Sequence, residues 1–151
     1  MKKLIIKTAV ATVVSVLIVV LALIILLTAF SPKTLADFNY KIGNERLSVY
    51  YEELNYKKTN DLSDLEGLIY KINEIDDYDK CIKYSKIMLD DEGFNAFAKD
   101  KKGYEFYLVS EYVVALYKTG STKEECLEKA KKYLEEETEI QLIQTVLDND
   151  K

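Results

Sequence analysis

"LIYKINEIDDYDKCIKYSKIML", Leu68 to Leu89, and "VVALYKTGSTKEECLEKAKKYL", Val113 to Leu134, decide the fold when one is laid over the other. No gap is needed: Leu68 meets Val113, Ile69 meets Val114, Cys81 meets Cys126, Ile82 meets Leu127 and Leu89 meets Leu134, 45 residues further on. The apolar frame recurs while the surface residues differ. A repeat of this length, two helices to a unit, signals a helical hairpin array in which each pair buries its apolar face against the next.

The flanking sequence agrees with an all-α fold. There is one proline, Pro32, and only five glycines in 151 residues, too little turn chemistry for a strand-rich chain. Leu47, Tyr50, Tyr51 and Leu54 follow the i, i+3, i+4, i+7 spacing of a buried helix face, as do Leu65, Leu68, Ile69 and Ile72, and then Cys126, Leu127, Ala130, Tyr133 and Leu134. Ser63 with Glu66, Ser121 with Glu124 and Thr138 with Gln141 fit capping boxes, and Gly120 stands where a helix must stop. Helices are expected over 34–42, 45–57, 63–75, 78–90, 92–99, 103–118, 122–136 and 138–147.

Tyr78, Cys81, Ile82, Ser85, Met88 and Leu89, preceded by Leu65, Leu68, Ile69 and Ile72, resemble a tetratricopeptide repeat, with "DYDKCIKY" close to that family's turn and second-helix opening. The resemblance covers residues 63–136. It implies that Cys81 and Cys126, with Ser85 and Ala130 one turn on, take the small-residue positions where the two helices of a unit press together. The sequence departs from the family in three ways: Ile69 and Val114 stand where a small residue is preferred, no proline closes either unit, and the period exceeds the usual 34. A generic helical array is the alternative. Two free core thiols are expected rather than a disulfide, because neighbouring helix axes run about 8–10 Å apart while a disulfide needs Cα atoms within about 7 Å.

The N-terminus carries a different signal. From Thr8 to Phe30 no residue is charged, and Lys2, Lys3 and Lys7 precede the run. At about 1.5 Å per residue such a helix reaches roughly 34 Å, enough to cross a hydrocarbon core of about 30 Å. Its strongly apolar residues favour insertion by about 4 to 9 kcal/mol. The division expected is a transmembrane signal anchor over 1–30, a juxtamembrane segment over 31–44 and a helical repeat domain over 45–148. Three lysines before the span, against Lys33 close behind it, favour an N-terminus inside and a C-terminal domain outside the cell membrane, in a single-pass arrangement. Twenty Lys to one Arg suggests an AT-rich, bacterial genome. The alternatives are a domain facing the cytoplasm, and a secreted protein released by cleavage near Ala36.

Composition excludes several kinds of chemistry. With no histidine, the commonest general base and most zinc sites are gone, and no glycine-rich phosphate loop occurs. No catalytic, cofactor-binding or metal residue is assigned, and no small-molecule substrate is expected. "DLSDLEG", Asp61 to Gly67, resembles a calcium loop only superficially, since Leu65 fills a ligand position and Ile72 stands where a bidentate Glu belongs. Beyond residue 30 there are 18 bases and 26 acids, a balance that repels nucleic acid.

Twelve tyrosines remain, a residue type enriched at interfaces. Tyr50, Tyr78 and Tyr133 fall on the apolar stripes and are expected in the core, whereas Tyr70 does not. The tetratricopeptide resemblance implies a concave groove lined by the first helix of each unit. Its outward positions are Glu66, Tyr70 and Asn73 in one unit and Glu111, Ala115 and Lys118 in the next. The expectation is a membrane-attached, non-catalytic adaptor that binds a protein or peptide partner in this groove.

Overall fold

Polar caps and turns, rather than strand-forming alternation, divide the chain. The computed structural model describes residues 2–149, and the side chains of Lys7 and of Ala9 onward; the basic flank at Lys2 and Lys3 lies outside the described side chains. Among the described residues every regular element is an α-helix: α1 (Lys2–Phe30), α2 (Pro32–Lys41), α3 (Glu45–Thr59), α4 (Leu62–Glu74), α5 (Tyr78–Leu89), α6 (Phe94–Ala98), α7 (Tyr104–Lys118), α8 (Lys123–Ala130) and α9 (Glu137–Asn149). The chain forms two compact units, residues 1–55 and 56–151, with the boundary inside α3.

In the first unit, the 22 residues Ala9–Phe30 of α1 make a helix long and apolar enough to cross a membrane. Ser31, with φ −145° and ψ 62°, breaks the helix, and Pro32 opens α2 as a first-turn residue whose missing N–H costs nothing there. α3 runs antiparallel to α2. The Ser48 hydroxyl donates to the Ala36 carbonyl at 2.8 Å, and four residues on the Glu52 carboxylate meets the Lys33 ammonium at 2.7 Å.

This arrangement reverses the expected face of α3. Ser48, Val49, Glu52 and Asn55 are buried, while Tyr50 is 50% and Leu47 37% exposed, and Tyr51 and Leu54 are half-buried. Tyr50 is therefore not a core residue. Spacing locates a stripe but not which side faces inward, and here the polar side is admitted because Ala36 and Lys33 satisfy it.

In the second unit α4 packs on α5, α5 on α7, α7 on α8, and α9 on both α7 and α8. Leu65, Leu68, Ile69 and Ile72 of α4 are fully buried, and Cys81, Ser85 and Met88 of α5 join them. Tyr78 and Tyr133, expected in the core, are half-buried at its edge. The helix starts lie close to the capping boxes read in the sequence, though on neighbouring residues. Asp61 caps α4 by accepting from Ser63 N–H, and Asp77 caps α5 by accepting from Lys80 N–H. Thr122 and Glu125, one place beyond the expected pair, close a full capping box on α8. α9 opens at Glu137, ahead of Thr138, so Thr138 lies within its first turn.

α8 stops at Ala130 rather than near 136. Glu135, Glu136 and Glu137 would lie unfavourably against the negative end of a longer helix; Glu137 and Glu139 instead occupy the favourable first turn of α9.

The two hairpins share one turn design. After α4, Asp77 N–H reaches the Ile72 carbonyl and Asp76 N–H reaches Asn73, with Asp76 left-handed at φ 52°; after α7, Ser121 N–H reaches Leu116 and Gly120 N–H reaches Tyr117, with Gly120 at φ 105°. Both are Schellman turns. Asp77 then caps α5 at once, whereas Ser121 intervenes before Thr122 caps α8. The second turn is thus one residue longer. α5 and α8 correspond at 45 residues, but α4 and α7 correspond at 44: buried Leu65, Leu68 and Ile69 match buried Val109, Tyr112 and Val113. The ungapped overlay is corrected by one residue on its first helix.

Candidate functional site

The outward face of α4 carries Glu66, Tyr70 and Asn73, one to two turns apart on the side opposite Leu65, Leu68 and Ile72. Asn73 lies at the mouth of a cleft of about 230 Å³ whose other walls are Asp76, Asp77 and Tyr78 of the turn, Cys81 of α5, and Glu111, Val114, Ala115 and Lys118 of α7. Four of the six expected groove residues, Asn73, Glu111, Ala115 and Lys118, are thereby brought together. The Schellman turn of Asp76 forms one wall because it must fold back over the end of α4 to reach α5.

The remaining two behave differently. Tyr70 is 56% exposed, as expected of an outward ring. Glu66 is drawn to Lys101, whose ammonium also lies 3.7 Å from the Phe97 ring centroid, so its carboxylate is engaged within the domain. Ala115 is a correction. It is 1% exposed, its side chain part of the packed face of α7, because the one-residue shift makes Ser110, Val114 and Tyr117 the counterparts of Glu66, Tyr70 and Asn73.

The cleft is polar and partly desolvated. Asn73 Nδ2 donates to the Tyr107 hydroxyl at 3.4 Å, linking α4 to α7. Burial raises the Glu111 carboxyl above its ordinary value, and burial likewise raises the Tyr107 hydroxyl. Cys81 Sγ sits 3.7 Å from the Glu111 carbonyl oxygen and 3.8 Å from Ser85 Oγ, and burial pushes its thiol up to about 11. Both cysteines are free and buried, and burial also raises Cys126. Neutral, enclosed thiols are core groups rather than nucleophiles.

A larger cleft of about 550 Å³ lies between the start of α7 and the start of α9, where Lys99, Lys101 and Lys102 face Glu105, Glu135 and Glu139. Burial, then Glu139 and Glu135, raises the Glu105 carboxyl. Its mixed charges favour no single ligand sign, and it contains none of the expected groove residues. Among the described residues no group of His, Cys, Asp and Glu is arranged to hold a metal ion. The "DLSDLEG" stretch forms the cap of α4, with Asp61 Oδ1 accepting from Ser63 N–H at 2.8 Å.

Sequence reasoning missed Asp76, Asp77, Tyr78, Tyr107 and Val114. The available signal was the extra residue between Gly120 and Thr122, which shifts the second unit by one. No protein-family model matches the chain, and no match is found among curated proteins or solved structures.

Proposed function

We propose that the chain is a membrane-anchored, non-catalytic interaction protein: α1 holds it in the bilayer and residues 56–151 take a protein or peptide partner on the α4–α7 face, as a tetratricopeptide-like array would. The observation that carries this reading is the cleft bounded by Asn73, the Asp76 turn and Glu111, with the exposed Tyr70 ring on the neighbouring face of α4. An exposed aromatic ring beside a half-desolvated polar pocket is the composition of a binding hot spot. Asp76, Asp77 and Glu111 against Lys118 suit a partner that inserts a basic or amide-bearing side chain. Anchoring raises the local concentration, so a small contact area is sufficient.

Retention of α1 fits better than release near Ala36. Cleavage there would cut α2 within its buried face, where Leu35 and Ala36 lie and where the Ala36 carbonyl accepts from Ser48. The lysines before the span favour a domain outside the cell.

The test is photocrosslinking in intact cells that carry a photoreactive phenylalanine at Tyr70, or at exposed Lys129 as the control, with a C-terminal epitope. A discrete adduct from position 70, absent at 129 and reduced by Glu111→Lys, is expected. Equal adducts at both positions, or no change with Glu111→Lys, would refute the groove. External protease should remove the epitope without lysis, and a protected epitope would reverse the orientation.

A further inference from the structure

α3 carries an apolar stripe whose Tyr50 and Leu47 are exposed and whose Tyr51 and Leu54 are half-buried, while Ser48, Val49, Glu52 and Asn55 are buried on its other side. Leu47, Tyr50, Tyr51 and Leu54 share that stripe, the two rings packed edge to face with centroids 5.3 Å apart. A helix in water alone would normally turn such a stripe inward, so the part left exposed around Tyr50 and Leu47 suits a further apolar cover.

The cover can be identified from what the same unit places beside it. The apolar span ends at Phe30, and Lys33 is only three residues further along. The Lys33–Glu52 pair, at 2.7 Å, ties the middle of α3 to a lysine three residues past that end. Tyr51 and its neighbours Tyr50 and Leu54 therefore belong to a helix tied to the chain just past the end of the span. The break at Ser31 separates the axis of α2 from that of α1, so the α2–α3 pair is not a continuation of the spanning rod.

Charge points the same way. Residues 31–55 contain three bases and four acids, whereas residues 56–151 contain fifteen bases and 22 acids. The repulsion from anionic head groups thus belongs to the second unit, and the segment bearing the stripe is close to neutral.

We propose that the Leu47–Tyr50–Tyr51–Leu54 face of α3 rests in the head-group region of the bilayer that α1 enters, making the α2–α3 pair a second, interfacial membrane contact. This inference rests on the anchored reading of α1. Tyrosine suits the site: its ring is apolar and its hydroxyl stays wet, which concentrates it at both membrane boundaries. An amphipathic helix lying in the interface buries its apolar side by about 5 to 10 Å, enough for a ring. The contact fixes how the first unit meets the bilayer.

The chain has no tryptophan, so each single substitution supplies the only indole. Full-length protein carrying Tyr50→Trp, Tyr51→Trp, Leu21→Trp or Tyr70→Trp is reconstituted into vesicles of phosphatidylcholine and phosphatidylglycerol. Quenching is read with lipids brominated near the head group or deep in the acyl chain, after circular dichroism shows native helix content. Either position 50 or position 51 suffices if the other variant misfolds. The expected result is deep quenching at 21, and shallow quenching at 50 or 51 about twofold or more above that at 70. Quenching at 21, with 50 and 51 no higher than 70, would overturn the interfacial contact and leave the anchor intact. No quenching at 21 would remove the anchored reading and the inference together. A blue shift at 50 that disappears on dilution, without quenching, would assign the stripe to a second copy of the chain and likewise overturn the proposal.

Discussion

Cys81 shows how position fixes chemistry at the level of one residue. Its thiol is enclosed by Ser85 and the Glu111 carbonyl and titrates at about 11, so almost none is thiolate at pH 7. Alkylation of native protein at neutral pH should be slower than in urea by about a hundredfold or more, as follows from the thiolate fraction and enclosure. Equal rates by mass spectrometry would contradict the burial. Ala115 makes the complementary case. Ala115→Leu should cost about 1–3 kcal/mol in urea unfolding, because a packed face does not accept added methylenes. Lys118→Leu, at an exposed position one turn on, should stay within about 0.5 kcal/mol. Under the ungapped overlay Ala115 would have been as tolerant as Lys118, so the pair decides between the two registers.

Between elements, turns and caps decide which residues meet. Gly120 adopts φ 105°, a conformation that side chains resist, and its Schellman turn sets the register of α8 against α7. Gly120→Ala should lower stability by about 1–2 kcal/mol. Asp76→Gly should be neutral or slightly stabilising, because the residue it replaces already stands at φ 52°. A thermal unfolding comparison of the two variants checks the sign of both. In the first unit, Lys33→Ala removes an ammonium 2.7 Å from the fully buried Glu52, and should cost about 1–3 kcal/mol once the exposure of Lys33 is allowed for. Glu52→Gln should cost less, since an amide removes the buried charge together with the pair.

Across the second unit, Asp90 joins distant parts of the chain. It accepts from Lys86 on its own helix, and from Lys132 at 2.7 Å and the Tyr133 hydroxyl at 2.9 Å, both in the turn after α8. Lys132, then Lys86, holds its carboxyl well below the usual range. A carboxyl lowered in the folded state stabilises above its unfolded value, near pH 4, and that contribution fades as pH falls further. Asp90→Asn should therefore cost about 1 kcal/mol at pH 7 and progressively less as pH falls from 4 to 2, measured as urea midpoints. A difference that persists unchanged at pH 2 would show that the network acts through packing rather than charge. The same network ties the turn after α8 to the end of α5, some forty positions away in sequence, a contact that residues 130–137 by themselves could not reveal. The sequence by itself determined that the chain is helical, where most helices begin and end, and that an apolar span long enough for a bilayer precedes them. Those features depend on spacing, caps and composition within a few turns. Tertiary structure alone decided which side of α3 faces inward, which residues of α7 match those of α4, and that Asn73, Asp76 and Glu111 share a cleft. Helical periodicity leaves direction open, and one added residue in a turn rotates the matching of side chains between two helices by about 100°, a displacement that only long-range packing can select.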